Sequence, residues 1–243
     1  MSKEDILISI VIPTFNEEKR ISLTLRMIRE YFSNKNFQYE VVVVDDGSTD
    51  NTVDIVERNS QLFENFVLIE NIKNMGKGYS VKKGMVEASG ELKLFMDADS
   101  SVEIKTLDSF VKHIKSGADI IIGSIEVNGA SIKDDNLGYR RVFGKISKVI
   151  IRALATPGIY DTQRGFKLFT KQAADTVFKR QTIDRWGFDI ELIVIAQDNH
   201  LKIVEVPVDW KNSKASSVRF GSYFLTFIEL LAIKFNSLIG KYR

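Results

Sequence analysis

At 243 residues the chain can bury a substantial core, in one large α/β domain or two small ones. Its apolar fraction of 44% and charged fraction of 27% are those of a soluble globular protein, and a formal net charge of +2 is too small to argue for a nucleic-acid partner. With no cysteine, disulfides and thiolate catalysis are excluded, and two histidines, His113 and His200, rule out a histidine-rich metal site.

Ile6 to Ile12 is a nearly unbroken β-branched run, as expected of a strand covered on both faces. It stops at Pro13-Thr14-Phe15-Asn16-Glu17-Glu18, and helical spacing follows through Ile21, Leu25, Ile28 and Phe32. Val41 to Val44 is a second buried strand ending in Asp45-Asp46-Gly47-Ser48, with Ser48 or Thr49 expected to cap a helix running to about Asn59. Then come a strand at Phe66 to Glu70, a helix at Gly78 to Ala88, a strand at Leu92 to Met96, a helix near Thr106 to Lys115 and a strand at Asp119 to Gly123. This alternation implies a mostly parallel sheet with right-handed crossovers. Beyond Tyr160, Phe166 to Phe169 reads as a short strand, Phe188 to Ala196 as a helix and Ile203 to Val208 as a last strand.

The polar signals fall at strand ends, and the sharpest is Asp97-Ala98-Asp99 after the apolar run Leu92 to Met96. In extended chain, positions i and i+2 point the same way, so both carboxylates could aim at one point beyond the strand's carboxyl end, where open α/β sheets bind ligands. Two hard oxygen donors there suit Mg²⁺ or Mn²⁺, which shares its other positions with water and substrate phosphates. A dinucleotide-binding dehydrogenase is rejected, because the turn after the first strand is Pro-Thr-Phe-Asn-Glu-Glu in place of Gly-x-Gly-x-x-Gly.

Between Gly138 and Tyr160 the chain has no acidic residue, and Arg141, Lys145, Lys148 and Arg152 follow helical spacing opposite an apolar face. Such a basic amphipathic helix suits anionic lipid or a phosphorylated partner. The tail from Phe220 to Ile239 is apolar but broken by Glu229 and Lys234; it could lie flat on a bilayer, pack on the domain or meet a twin chain, whereas a single span would bury those charges. The expected organisation is a domain over residues 1–219 followed by an apolar helix over 220–243. Met1 to Asp5 lacks a signal-peptide profile, so the expected location is cytoplasmic and peripheral, at the cytoplasmic face of a membrane.

Taken together, Ile12 to Glu18, Val43 to Ser48, Asn74-Met75-Gly76-Lys77-Gly78 and Asp97-Ala98-Asp99 resemble glycosyltransferase family 2. Asp161 to Phe169 and Arg185 to Leu192 are similar to its polyprenyl (dolichyl)-phosphate β-glucosyltransferase branch, so the resemblance runs from Ile6 to about Val218. It implies a Rossmann-like GT-A fold, a UDP-sugar donor, a polyprenyl or dolichyl phosphate acceptor and a divalent metal. By position, it places Pro13, Phe15 and Glu17 around the nucleoside, Asp45 on the base and Lys77 near the phosphates. It places Asp97 and Asp99 on the metal–diphosphate unit, with Ser101 where relatives offer a third ligand. Two positions depart from the family: Ile125 stands where an acceptor-phosphate arginine is usual, and Ser217 replaces the lysine of a Ser-Lys-Val sequence. Arg140, Arg141 and Lys145 are then the expected acceptor-phosphate cations, with Lys214 or Arg219 as auxiliaries.

The expected chemistry is inverting single displacement, in which an acceptor phosphate oxygen attacks the anomeric carbon. That oxygen is already anionic near neutral pH and needs no general base. Asp189, with Glu191, lies where relatives using hydroxyl acceptors carry a base; both could instead be structural, capping a helix or pairing with Arg164 or Lys167. Two alternatives stay open: a transferase using a sugar hydroxyl, which would need Asp189 as base, and a catalytically silent nucleotide-sugar binder that docks at membranes.

Overall fold

In the computed structural model, residues 7–33, 35, 37–133, 147–211 and 220–243 are described, with backbone alone for 220–224. Strands β1 (Leu7–Thr14), β2 (Gln38–Asp45), β3 (Phe66–Glu70), β4 (Leu92–Met96), β5 (Ile120–Ser124), β7 (Phe166–Thr170) and β8 (Ile203–Pro207) form one sheet in the order β3-β2-β1-β4-β7-β5-β8. β1 runs parallel to β2 and β4, and β5 parallel to β8, while β7 lies antiparallel between β4 and β5. Short strands β6 (Ser131–Lys133) and β9 (Asp209–Lys211) pair separately.

The β-branched runs form strands because both sheet faces are covered. In β1, Ile8, Ile10 and Ile12 face the layer of α1 (Ile21–Ser33), α2 (Thr52–Ser60) and α4 (Leu107–Lys115). The alternate residue Val11 faces α3 (Lys77–Glu87), α6 (Lys171–Arg180) and α7 (Phe188–Asp198) on the other side. Every residue of α7 from Phe188 to Ala196 is buried, since α8 (Phe220–Leu238) packs over it with Leu230 and Ile233 inward. The described part of α5 covers 147–154 and adds Ile151 to the same core.

Chain order turns back at β1: β2 and β3 lie to one side and β4 to the other. The carboxyl ends of β1 and β4 therefore flank the switch-point crevice where open α/β sheets hold ligands.

One local expectation is corrected. Ser48 and Thr49 do not cap α2, which begins at Thr52 after Asn51, a residue whose side chain makes no cap bond. Gly47 at φ 72° turns the chain so that Ser48 points back to Asp45, and the Thr49 N–H donates to Asn16 Oδ1 at 2.9 Å. Asp50 Oδ1 accepts from the Thr52 N–H at 3.0 Å instead.

Candidate functional site

The loops at the switch point lock one another in place. Asn16, in the left-handed region at φ 55°, donates its N–H to Ser48 Oγ at 2.9 Å, and Glu17 N–H donates to Thr52 Oγ1 at 2.7 Å. Phe15 is left 43% exposed at the crevice mouth, beside half-buried Pro13. Glu17 holds Arg20 through both oxygens, at 2.5 and 2.6 Å. Burial lifts the Glu17 carboxyl above its ordinary pKa, against the pull of Arg20 and with a further push from Asp99 and Asp97. This electrostatic reach puts Glu17 in the same acidic neighbourhood as the pair on β4.

Asp45 ends β2 opposite Thr14 and is nearly inaccessible. Its oxygens accept the Ser48 N–H at 2.8 Å, the Ser48 hydroxyl at 2.5 Å and the Thr14 hydroxyl at 3.2 Å, so it also builds the turn it sits in. Asp46, which carries no assigned role in the sequence reading, is a second anchor. It accepts from Met75 N–H at 2.9 Å, Gly76 N–H at 2.8 Å and Asn71 Nδ2 at 3.0 Å, drawing the loop before α3 onto the end of β2. Gly76 at φ 112° is required there, because a Cβ would come 2.4 Å from the Asp184 carbonyl oxygen.

This loop delivers Lys77 to Asp97. The ammonium lies 2.6 Å from Asp97 Oδ1 and faces the rings of Phe95 and Trp186 at 5.3 and 5.8 Å. Burial alone would lower the lysine pKa, but Asp97, Asp189 and Asp99 raise it overall, so it stays charged. Asp97 is fixed from below: its N–H donates to the Gly165 carbonyl at 2.9 Å, and its carboxylate lies where a Cβ on residue 165 would sit, 2.1 Å from Cγ. The Asp99 carboxylate accepts the Ser101 N–H at 2.9 Å, while Thr24 of α1 ties down the loop through the Ala98 carbonyl at 2.6 Å and Ser100 Oγ at 2.8 Å.

These donors suit a hard divalent cation. Asp97 already holds the cationic end of Lys77, and both carboxylates are half-exposed at the crevice. Among the described residues no third acidic or histidine side chain joins them, so water and substrate oxygens would complete the shell of such an ion, the mode Mg²⁺ and Mn²⁺ adopt at phosphates.

Asp189 and Glu191 sit at the start of α7 and have separate roles. Glu191 is fully buried and saturated by Thr182 N–H at 3.0 Å, Thr182 Oγ1 at 2.6 Å, Ile183 N–H at 2.8 Å and Tyr242 OH at 2.8 Å. It is structural. Asp189 is in contact with the ammonium of Lys167, a residue with no exposure that also donates to the Arg164 carbonyl at 2.6 Å. Burial lifts the Asp189 pKa, opposed by Lys167 and Lys77. Ile125 packs half-buried against the core, and its N–H donates to Asp161 Oδ2 at 3.1 Å. Arg140, Arg141, Lys145, Lys214 and Arg219 lie outside the described residues.

A mostly parallel sheet with an acidic pair and a lysine at its switch point defines a GT-A-like transferase domain. The model of glycosyl transferase family 2 matches residues 9–178, and the chain belongs to that family. A dolichyl-phosphate beta-glucosyltransferase of Trichomonas vaginalis is 34% identical, over 95% of this chain and 74% of its own length. The human dolichyl-phosphate beta-glucosyltransferase is 32% identical, over 97% and 77%. Among solved structures, glucosyl-3-phosphoglycerate synthase from Mycobacterium tuberculosis in complex with UDP superposes with a TM-score of 0.72 at 16% identity, covering 97% of this chain and 81% of that one. The same enzyme with Mn²⁺, UDP-glucose and phosphoglyceric acid gives 0.72 at 15% identity.

Proposed function

We propose that the protein transfers glucose, with inversion, from UDP-glucose to a polyprenyl (dolichyl) phosphate at a membrane surface. The observation that carries this is the Asp97–Lys77 pair beside Asp99 at the switch point, in a chain whose relatives of 32–34% identity are named for that reaction. In this reading Phe15, Pro13 and Glu17 line the nucleoside, and Asp45 meets the base with the one lone pair, on Oδ2, that its turn leaves free. Lys77 passes from Asp97 to the diphosphate. Asp97 and Asp99, with Ser101, would hold a divalent metal, a reading supported by the Mn²⁺ bound in the similar synthase structure. Such an ion, when bound, acts as Lewis acid on the leaving diphosphate.

The environment of Asp189 supports this acceptor class. A general base must reach the proton it removes, and here Asp189 is engaged by the buried ammonium of Lys167 while Glu191 is spent on its structural hydrogen bonds. A phosphate oxygen needs no base, so this arrangement favours an anionic acceptor over a sugar hydroxyl.

The test is UDP release from UDP-glucose and Mn²⁺, with and without polyprenyl phosphate. Release that depends on the lipid phosphate is expected, and Asp99→Ala should lower it roughly a hundredfold while the protein stays folded. Equal release with polyprenol or an oligosaccharide, or full activity of Asp99→Ala in EDTA, would overturn the proposal.

A further inference from the structure

The cations around the crevice are mostly committed: Arg20 to Glu17, Lys167 to Asp189 and Lys77 to Asp97. Arg164 differs. Its Nε donates to Asp161 Oδ2 at 3.1 Å, its guanidinium carbon lies 4.9 Å from the centroid of the Trp210 ring, and its carbonyl accepts from Lys167. The first two contacts fix where the guanidinium sits, and the third holds the backbone that carries it. Its two terminal NH₂ groups have no hydrogen-bond partner among the described residues, and the side chain is 19% exposed.

A purely structural arginine would be expected to spend its fork on the carboxylate, since bidentate pairing is the stronger arrangement. Asp161 is fully buried, yet it receives Arg164 through Oδ2 alone, and Oδ1 has no partner among the described residues. Asp161 is itself held from behind, by the Ile125 N–H on Oδ2 at 3.1 Å and by its own N–H on Glu205 Oε1 at 2.9 Å.

The location matters as much as the unused donors. Arg164 immediately precedes Gly165, the seat of the Asp97 carboxylate. Trp210, against which it stacks, bridges Val102, and Lys211 N–H donates to the Ser101 carbonyl at 2.9 Å, so the stack adjoins the loop that follows Asp99. Its fork is therefore pre-positioned at the carboxyl edge of the sheet.

We propose that Arg164 is the anion clamp of the acceptor, its terminal nitrogens gripping the phosphate of a prenyl phosphate bidentately. This rests on the lipid-phosphate reading above. The phosphate uses two oxygens on the fork and a third as nucleophile. The bond from that oxygen to the anomeric carbon forms as the bond from the anomeric carbon to the diphosphate breaks; UDP leaves with the electron pair, and no proton moves. The guanidinium also offsets the repulsion between acceptor phosphate and donor diphosphate. Lysine cannot replace it, because a point charge lacks the fork and the flat face that stacks on Trp210.

The test is calorimetric titration of farnesyl phosphate into the enzyme saturated with UDP and Mn²⁺, using wild type, Arg164→Lys and Arg164→Gln, with inorganic phosphate and farnesol as further titrants. Both variants keep a donor for Asp161, which guards the fold. Farnesyl phosphate affinity is expected to fall about tenfold or more in each variant, with UDP affinity within about twofold of wild type and farnesol not bound. Unchanged farnesyl phosphate affinity in the folded variants, or an equal loss of UDP affinity, would overturn the clamp. Inorganic phosphate binding wild type as tightly as farnesyl phosphate would overturn its assignment to a lipid acceptor. Wild type that does not bind farnesyl phosphate at all would overturn the lipid-phosphate reading itself, and the clamp with it.

Discussion

Asp97 holds its carboxylate in a position that tolerates only glycine beneath it. A methyl group on residue 165 would lie 2.1 Å from Asp97 Cγ, and the backbone hydrogen bond between the two residues prevents the strands from separating. In Gly165→Ala the carboxylate must swing away, and Lys77 loses its partner. We expect turnover to fall by about tenfold to a hundredfold, the range for losing a group that stabilises developing charge, with circular dichroism unchanged. Full activity in Gly165→Ala would show that Asp97 acts from some other position. Substitutions at Asp45 and Asp189 carry a second effect. Asp45→Ala strands the Ser48 N–H and should cost about 1–3 kcal/mol of stability, so loss of UDP affinity has to be read on Asp45→Asn. Asp189→Asn leaves Lys167 buried without its counter-charge, a change of about 3–5 kcal/mol for a buried pair. Its melting temperature should therefore fall whether or not Asp189 takes part in chemistry. The acidic pair stood out in the sequence because two carboxylates follow directly on β4, and the positions of Lys77 and the first-loop residues were picked out by the family resemblance; the structure brings Lys77 to Asp97. Asp46, Gly165 and Arg164 were not legible in the sequence, because their roles come from partners brought alongside by the fold: Gly76 for Asp46, Asp97 for Gly165 and Trp210 for Arg164.

At the scale of elements, α3 carries the site's lysine and its placement depends on close approach to the sheet. Gly84 sits where a Cβ would meet Val11 Cγ1 at 2.5 Å and Val44 Cγ2 at 2.9 Å, both on stiff, fully buried side chains. Gly84→Ala gains about 1 kcal/mol in helix propensity, but overpacking a filled core costs about 1–3 kcal/mol. The second effect is expected to win, lowering the denaturation midpoint in urea and moving Lys77 off Asp97. A more stable Gly84→Ala protein would mean that α3 can lift without penalty. The unbroken β-branched runs announced β1, β2 and the double-sided burial they imply. Three features did not follow from periodicity. The antiparallel sense of β7 is fixed by pairing with β4 and β5, which are remote in sequence. α6 is a short amphipathic helix capped by Thr170, whose hydroxyl accepts from the Ala173 N–H at 3.2 Å, and it lacked a long apolar stripe. β6 and β9 are three residues each, too short for alternation to register.

For the molecule as a whole, the open matter is what covers the outer face of α8. Leu230 and Ile233 point into the core, and Glu229, the charge that interrupts the apolar tail, turns inward to accept the Gly187 N–H at 2.7 Å at the start of α7. Outward stand Leu225, Phe227, Ile228, Leu231, Phe235 and Leu238, with Lys234 among them. Contiguous apolar surface on this scale marks a membrane or protein contact. No described helix is long and apolar enough to cross a membrane, so an interfacial helix lying in the plane of the headgroups is the arrangement we propose. The described cations of α5 are partly spent, with Lys148 on Glu126 at 2.6 Å and Arg152 over the Tyr160 ring at 4.8 Å. Apolar burial should thus outweigh charge. Sedimentation with anionic liposomes is expected to weaken as salt screens charges beyond about 8 Å at physiological ionic strength, yet to persist in part at high salt. Leu231→Glu with Phe235→Glu should abolish it at any salt, while UDP binding stays intact because both side chains stand exposed on the outer face of α8. If the double variant instead sediments like wild type and only its oligomeric state changes by light scattering, the face is a contact between two copies of this chain and the membrane assignment fails.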